Sequence, residues 1–418
     1  MNGLSLYNKS YRCSLFEGAS FFKKGGHHLN TEQPVVDQQL MQPSKRILTL
    51  DVLRGLALFG ILIANMLHFQ SPYIYVDPHT FYNSPIDALT FKWIDILVEG
   101  SFYPIFAMLF GYGINMQYEK GLAQNRSTVG LMLRRFSLLM VFGLIHAIFI
   151  WSGDILFTYA IYGFLMILIV RIPKRILLVL SVAFFTVTNV LLYAVTYLIA
   201  QASGAMEEFV DIQQIELAIT AYAHGTYLEA LQFRVGEWLV YGLLNSVFAG
   251  FLIVPLMMFG VVFSKWKLIE RGAELWKLWL VFIVIFGPLG FYFKALPYLK
   301  EPRIDYDMLQ TAFGGPFVGL FYVGLVILLM ATPLQKILQF LAPVGKMSLT
   351  IYIMQSVVAT LIFNNYGLGL YGKLDLATGT WIAVGIFAIQ IIIANLWLSR
   401  YERGPLEALW RKWTYRKP

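Results

Sequence analysis

Ten stretches of about 20 mostly apolar residues recur along nearly the whole chain, and this recurrence constrains the fold more than any other feature. A helix needs about that length to cross the hydrocarbon core of a bilayer, whereas an isolated strand there leaves its backbone groups unpaired. The chain is therefore read as all-α and polytopic, with spans near 47–69, 101–118, 131–151, 154–171, 175–200, 236–263, 273–296, 312–331, 343–364 and 379–400. Charged residues make up only 13% of the 418, against roughly 25% in soluble domains, so the mixture cannot build a water-soluble surface. The expected organisation is one transmembrane domain over 44–400, a mobile cytoplasmic tail over 1–43, and an amphipathic tail over 401–418 lying along the cytoplasmic interface.

Basic residues test the alternation of the connections, because Lys and Arg are retained in the cytoplasm. Alternate segments, starting with the N-terminal tail, carry 6, 4, 3, 4, 2 and 6 basic residues, which is 25 of the 32; the opposite side has six. Both termini are thus expected in the cytoplasm and the chain in a bacterial inner or plasma membrane. The net charge of +8 is dispersed in this pattern, so it marks orientation and not a nucleic-acid face. The connections 70–100 and 201–235 concentrate acidic residues and are expected to form interfacial helices on the outer face. The single cysteine, Cys13, excludes an intrachain disulfide and a multi-cysteine zinc site, and His27-His28 reads as a solvated pair; no metal is expected.

Ionisable residues inside a span are expensive, so each is a functional candidate. In the first span Asp51 and Arg54 are three apart and share a helix face, either as a structural ion pair or with Arg54 also meeting a phosphate that enters from the cytoplasm. Asn65 lies about 16 Å further along the axis, where an amide can hold a neighbouring helix or stabilise an oxyanion. His68 is one turn beyond it. At the outer ends of the third and fourth spans His146 and Asp154 form a second pair, in which a carboxylate can fix an imidazole tautomer or cap a helix. Glu237 and Asn245 fall two turns apart in the sixth span, and Gln355 sits midway along the ninth. Gly345-Lys346-Met347-Ser348 opens that ninth span, where a helix N-terminus can touch phosphate, although there is no upstream glycine loop to make it a P-loop.

Several of these segments together carry a resemblance: Thr49-Leu50-Asp51-Val52-Leu53-Arg54-Gly55 with Asn65, Leu109-Phe110-Gly111-Tyr112-Gly113, the block from His146 to Asp154, Gly345 to Thr350 with Gln355, and Gly404-Pro405-Leu406-Glu407-Ala408-Leu409-Trp410. Over roughly 49–413 the chain resembles the YeiB family of bacterial membrane proteins, a domain of unknown function. That family is in turn similar to the heparan-α-glucosaminide N-acetyltransferase family of transmembrane acyltransferases. Their first span carries an Asp, an Arg three later and an Asn fourteen after the Asp, a spacing that Asp51, Arg54 and Asn65 reproduce.

The resemblance implies transfer of an acyl group, acetyl by analogy, from cytoplasmic acyl-CoA to an extracytoplasmic amine or hydroxyl. It implies Asn65 as oxyanion donor and a loop histidine as base. His79-Thr80-Phe81-Tyr82-Asn83 is the nearest match to the family's His-x-x-Trp-Asn, with Tyr for Trp and a longer separation from the Asn, and His68 competes for the same role. Arg54, Asp51, Lys346, Ser348 and Gln355 are the candidates for holding acyl-CoA, and His146 and Asp154 join the catalytic candidates. The expected partners are the lipid bilayer, acyl-CoA, the acceptor and a second copy of the chain, with no nucleic acid. The alternative is a transporter or channel that uses the same buried polar set as a solute path.

Overall fold

A computed structural model of the chain describes residues 47–125, 127–202, 210–300 and 303–415. The N-terminal tail with Cys13 and His27-His28, and Arg126, lie outside them. The described residues are helical, and among them no strand occurs. The long helices are α1 (Leu48–Gln70), α2 (Phe102–Ala123), α3 (Val129–Phe149), α4 (Leu156–Ile169), α5 (Lys174–Ala202), α6 (Leu243–Lys265), α7 (Trp276–Leu299), α8 (Gly315–Met330), α9 (Ser348–Phe363) and α10 (Leu376–Arg400). Two of them continue shorter helices through π-helical turns: α6 continues Tyr227–Glu237 and α8 continues Ile304–Leu309.

Each of the ten expected spans has a helix, but they do not cross alike. Eight helical stretches are long and apolar enough to span a membrane. The other two fall short. α4 has 14 residues, about 21 Å of rise against a core of about 30 Å, because the chain before it forms a loop at Trp151–Asp154 and Pro173 follows its end. The expected span 343–364 is a broken pair, Gln335–Lys346 and Ser348–Phe363, bent by 80° at Met347, whose backbone leaves the helical region. The first limb of that pair lies across α1. Gly345 permits the approach, since a Cβ there would strike the Asp51 carbonyl.

Close helix packing elsewhere also rests on glycine. A Cβ at Gly111 of α2 would run into the Met257 carbonyl of α6, and one at Gly260 of α6 into that of Met108 on α2. Small residues at such crossings let dispersion contacts accumulate where lipid tails remove the hydrophobic drive between helices.

Contacts between helices define two ends of the bundle. At one end Asp51 and Arg54 begin α1, Asn115 of α2 meets Ser264 of α6 (3.0 Å), and Glu407 meets the start of α9. Basic residues concentrate here, so we refer to it as the basic end. At the far end Gln70 closes α1, its carbonyl accepting from Gly372 N (2.8 Å), and Asp87 Oδ1 accepts from Leu376 N at the start of α10 (2.8 Å). The C-terminal helix Pro405–Thr414 lies against α3 and α9, with Trp410 Nε1 donating to the Arg135 carbonyl (3.1 Å).

Candidate functional site

At the far end, α1, the loop before α4 and the Glu237 region enclose a cavity of about 310 Å³. Asn65 and His68 line it one turn apart on α1, as the i, i+3 spacing requires. Neither side chain is hydrogen-bonded within the described residues. The imidazole of His68 is held by ring contacts alone, edge-on to Tyr73 (centroids 4.7 Å) and 6.2 Å from Trp151. An amide and an imidazole that face a cavity without protein partners have their hydrogen-bonding capacity available to a ligand.

Opposite them stands Glu237, whose carboxylate accepts from three hydroxyls: Tyr75 (2.9 Å), Tyr222 (3.2 Å) and Ser152. Burial, reinforced by the Glu237 charge, pushes the phenols of Tyr75, Tyr222 and Tyr371 above their ordinary value, so all three remain hydroxyls at neutral pH. Arg234, one turn before Glu237, also lines the cavity and is 1% exposed; it donates to the Phe149 carbonyl (3.1 Å) and the Tyr366 hydroxyl (3.4 Å).

His146 and Asp154 meet as expected, Nδ1 to Oδ1 at 2.8 Å, both side chains fully buried. The second carboxylate oxygen of Asp154 accepts from Phe157 N (2.7 Å) at the start of α4, and His146 Nε2 is sealed from solvent without a partner among the described residues. Asp154 reaches the cavity wall but His146 is not part of it. The pair therefore fixes the loop that carries Trp151 and Ser152 to the cavity.

His79 lies elsewhere. The short helix Pro78–Phe81 is capped by Asp77 and turns the imidazole toward Phe91, Tyr298 and Asp307, whose Oδ1 is 4.0 Å from Nε2. It does not line the cavity with Asn65, whereas His68 does.

At the basic end, Asp51 and Arg54 form the expected pair (Oδ1 to Nη1, 3.0 Å). The expectation that Gly345 to Ser348 presents a helix N-terminus to phosphate meets a different occupant. Glu407 Oε1 accepts from Leu349 N (2.7 Å) and Thr350 N (3.0 Å), and Oε2 from Thr350 Oγ1 (2.6 Å), so a carboxylate of the chain itself satisfies the amides an incoming anion would use. Lys346 and Ser348 flank this closed cap, half-buried. Gln355 is likewise engaged, with its amide nitrogen donating to Gln390 Oε1 (3.1 Å) and the Leu58 carbonyl (3.4 Å), tying α9 to α10 and α1.

The prominence of Glu237 was only half visible in the sequence. Its place inside an apolar run marks it, but its partners come from connections at 75, 152 and 222 that no spacing rule joins.

Fold and site together define a polytopic helical membrane protein with a polar cavity at one end. The chain belongs to the DUF418 family that includes YeiB. Its residues 262–417 match the family described as "Protein of unknown function (DUF418)". It is 33% identical over 403 residues to "Uncharacterized protein YxaH" of Bacillus subtilis (strain 168), which covers 90% of this chain and 96% of the relative. It is 26% identical over 395 residues to "Uncharacterized protein YeiB" of Escherichia coli (strain K12), covering 89% and 97%.

Proposed function

We propose that the chain is an acyltransferase of a bacterial plasma membrane, with its basic end in the cytoplasm, that moves an acyl group from cytoplasmic acyl-CoA to an amine or hydroxyl at the far end. The observation that carries this reading is the pairing of Asn65 and His68, one turn apart, on the wall of a cavity whose volume suits a small acceptor group. His68 removes a proton from the acceptor as it attacks the thioester carbonyl, and the Asn65 amide donates to the oxygen on which negative charge develops. Collapse of that adduct breaks the carbon–sulfur bond, and the proton held by His68 passes to the departing sulfur, so CoA leaves as its thiol and the imidazole returns to its neutral form. His68, the competitor for the base role that the loop match gives to His79, takes it in this proposal because it lines the same cavity as Asn65. Both ends of the described chain lie at the basic end, in keeping with a cytoplasmic N- and C-terminus, and Arg54 is the candidate there for the phosphates of CoA.

The test is transfer of labelled acetyl from acetyl-CoA to a panel of amines and alcohols by protein in nanodiscs. Activity lost in Asn65→Ala and His68→Ala supports the reading, and binding of acetyl-CoA without turnover on any acceptor contradicts it. A second reading, solute transport, draws on the helix pair broken by 80°, since discontinuous helices build many transport sites. Gradient-driven flux in proteoliposomes would establish it.

A further inference from the structure

Among the described residues, the Glu237 carboxylate forms no ion pair with any Lys, Arg or His, and the proposed chemistry at Asn65 and His68 does not use it. Glu237 is half-buried and lines the cavity opposite those two residues. Its Oε1 accepts from Tyr75 alone (2.9 Å), whereas Oε2 accepts from both Tyr222 (3.2 Å) and Ser152. A carboxylate has about four acceptor positions, so one, on Oε1, stays open. The hydroxyl dipoles hold the carboxylate in place and spread its charge without cancelling it.

Arg234, one turn earlier on the helix Tyr227–Glu237, is not its counter-ion. The terminal nitrogens of Arg234 donate to the Phe149 carbonyl (3.1 Å) and the Tyr366 hydroxyl (3.4 Å), and its Nε is sealed from solvent without a partner among the described residues. With 1% of its surface exposed, it offers an anionic ligand almost nothing to hold. Of the described residues that line the cavity, Asp154, Glu237 and Arg234 are the charged ones beside the neutral base His68, two carboxylates against one guanidinium.

Aromatic rings complete the surroundings of Glu237. Its donors Tyr75 and Tyr222 line the cavity; Tyr241 lies edge-on to Tyr75 (centroids 5.6 Å), and Tyr371 lies 5.4 Å from Tyr222. A buried charge calls for a partner, and the electron-rich faces of aromatic rings attract a cation that has shed its water. A carboxylate among four tyrosine rings therefore suits an organic ammonium group better than a small metal ion, which demands several oxygen ligands at once.

We infer that the cavity binds an organic cation, with its ammonium group seated at the open position of Glu237 among Tyr75, Tyr222, Tyr241 and Tyr371. This ligand class stands whether the cavity serves transfer or transport. One further step rests on the acyl-transfer reading: the cation is the end of the acceptor that does not react. Glu237 stands across the cavity from Asn65 and His68, so a charged group held there leaves the nucleophile to face the imidazole. The acceptor is then an amino alcohol, a diamine or a related compound whose charge and nucleophile are apart.

The test is calorimetric titration of the full chain in nanodiscs with three probes: choline, its uncharged isostere with a tert-butyl group in place of trimethylammonium, and the corresponding tert-butyl carboxylate. Choline should bind at least about tenfold more tightly than the neutral alcohol, and the anion more weakly than either. Glu237→Gln keeps an oxygen to accept the tyrosine hydroxyls but carries no charge, and should remove the preference for choline. Tyr241→Leu takes away a ring that makes no hydrogen bond to Glu237; it should weaken choline about fivefold and the alcohol hardly at all, and it carries the test if the Gln variant does not fold. Equal affinity for choline and the alcohol, tighter binding of the anion, or a preference for choline that survives Glu237→Gln overturns the inference. Wild-type protein that prefers choline yet transfers acetyl to no acceptor contradicts the acyl-transfer reading alone, so the two failures are told apart.

Discussion

The two ends of the bundle handle polar groups in opposite ways. At the basic end they close on one another: Asp51 with Arg54, and Glu407 with the amides of Leu349 and Thr350. At the far end Asn65 and His68 face a cavity without a hydrogen-bond partner among the described residues, while Glu237 gathers three hydroxyls around one carboxylate. A satisfied polar group contributes to stability, and one whose capacity is left open is available for binding or chemistry. The comparison teaches that placement of a charged residue in a span marks a candidate, and its partners decide which kind it is.

The comparison breaks most directly at α1. His68→Ala should cut acyl transfer by about 10²–10⁴-fold and Asn65→Ala by about 10²–10³-fold, with a destabilisation of at most about 1 kcal/mol, because neither side chain is hydrogen-bonded to the rest of the described protein and His68 loses only its ring contacts with Tyr73 and Trp151. Equal losses of stability and activity would move these residues to the structural side of the divide. Glu237→Ala should instead destabilise the fold by about 3 kcal/mol, measured as denaturant-induced unfolding in micelles, since it leaves the hydroxyls of Tyr75, Tyr222 and Ser152 without their acceptor.

Gly111→Ala tests the scaffold that both ends share. The added methyl meets the Met257 carbonyl, and we expect about 2 kcal/mol of destabilisation by the same measurement. Glu407→Ala should cost about 1–2 kcal/mol and, by exposing the amides of Leu349 and Thr350, create an affinity for inorganic phosphate that the wild type lacks. Phosphate binding already present in the wild type at these amides would reopen the basic end as an anion site.

The smallest effect is alkaline. Burial pushes Tyr82 up to about 12 from an ordinary value of 10.0. A raised folded value means its contribution is complete below pH 10 and is lost as pH rises toward 12, about 1 kcal/mol by pH 11. Tyr73, Tyr75, Tyr222 and Tyr371 shift the same way, so hydrogen exchange in that window should open the far end before the basic end.

Much of this was legible in the sequence. Apolar length gave a helix for each of the ten spans, and i, i+3 spacing gave Asp51 with Arg54 and Asn65 beside His68. His146 with Asp154 followed from their positions at adjoining helix ends. The break at Met347 was not legible, because it depends on where Gly345 lets the chain rest against Asp51. Glu407 was hidden as the partner of Leu349 and Thr350 by 58 and 57 residues of separation, a distance over which no periodicity carries information. The placement of His79 away from the cavity depends on the turn set by Asp77 and Pro78, which changes the direction of the side chain without altering the motif.

Sided proteoliposomes test the central claim most directly, with labelled acetyl-CoA supplied on the face that bears the basic end and amine acceptors confined to the other. The account requires label to appear on an acceptor across the bilayer with wild-type protein and to vanish with His68→Ala. Label that never crosses, or that crosses equally with His68→Ala, would contradict it.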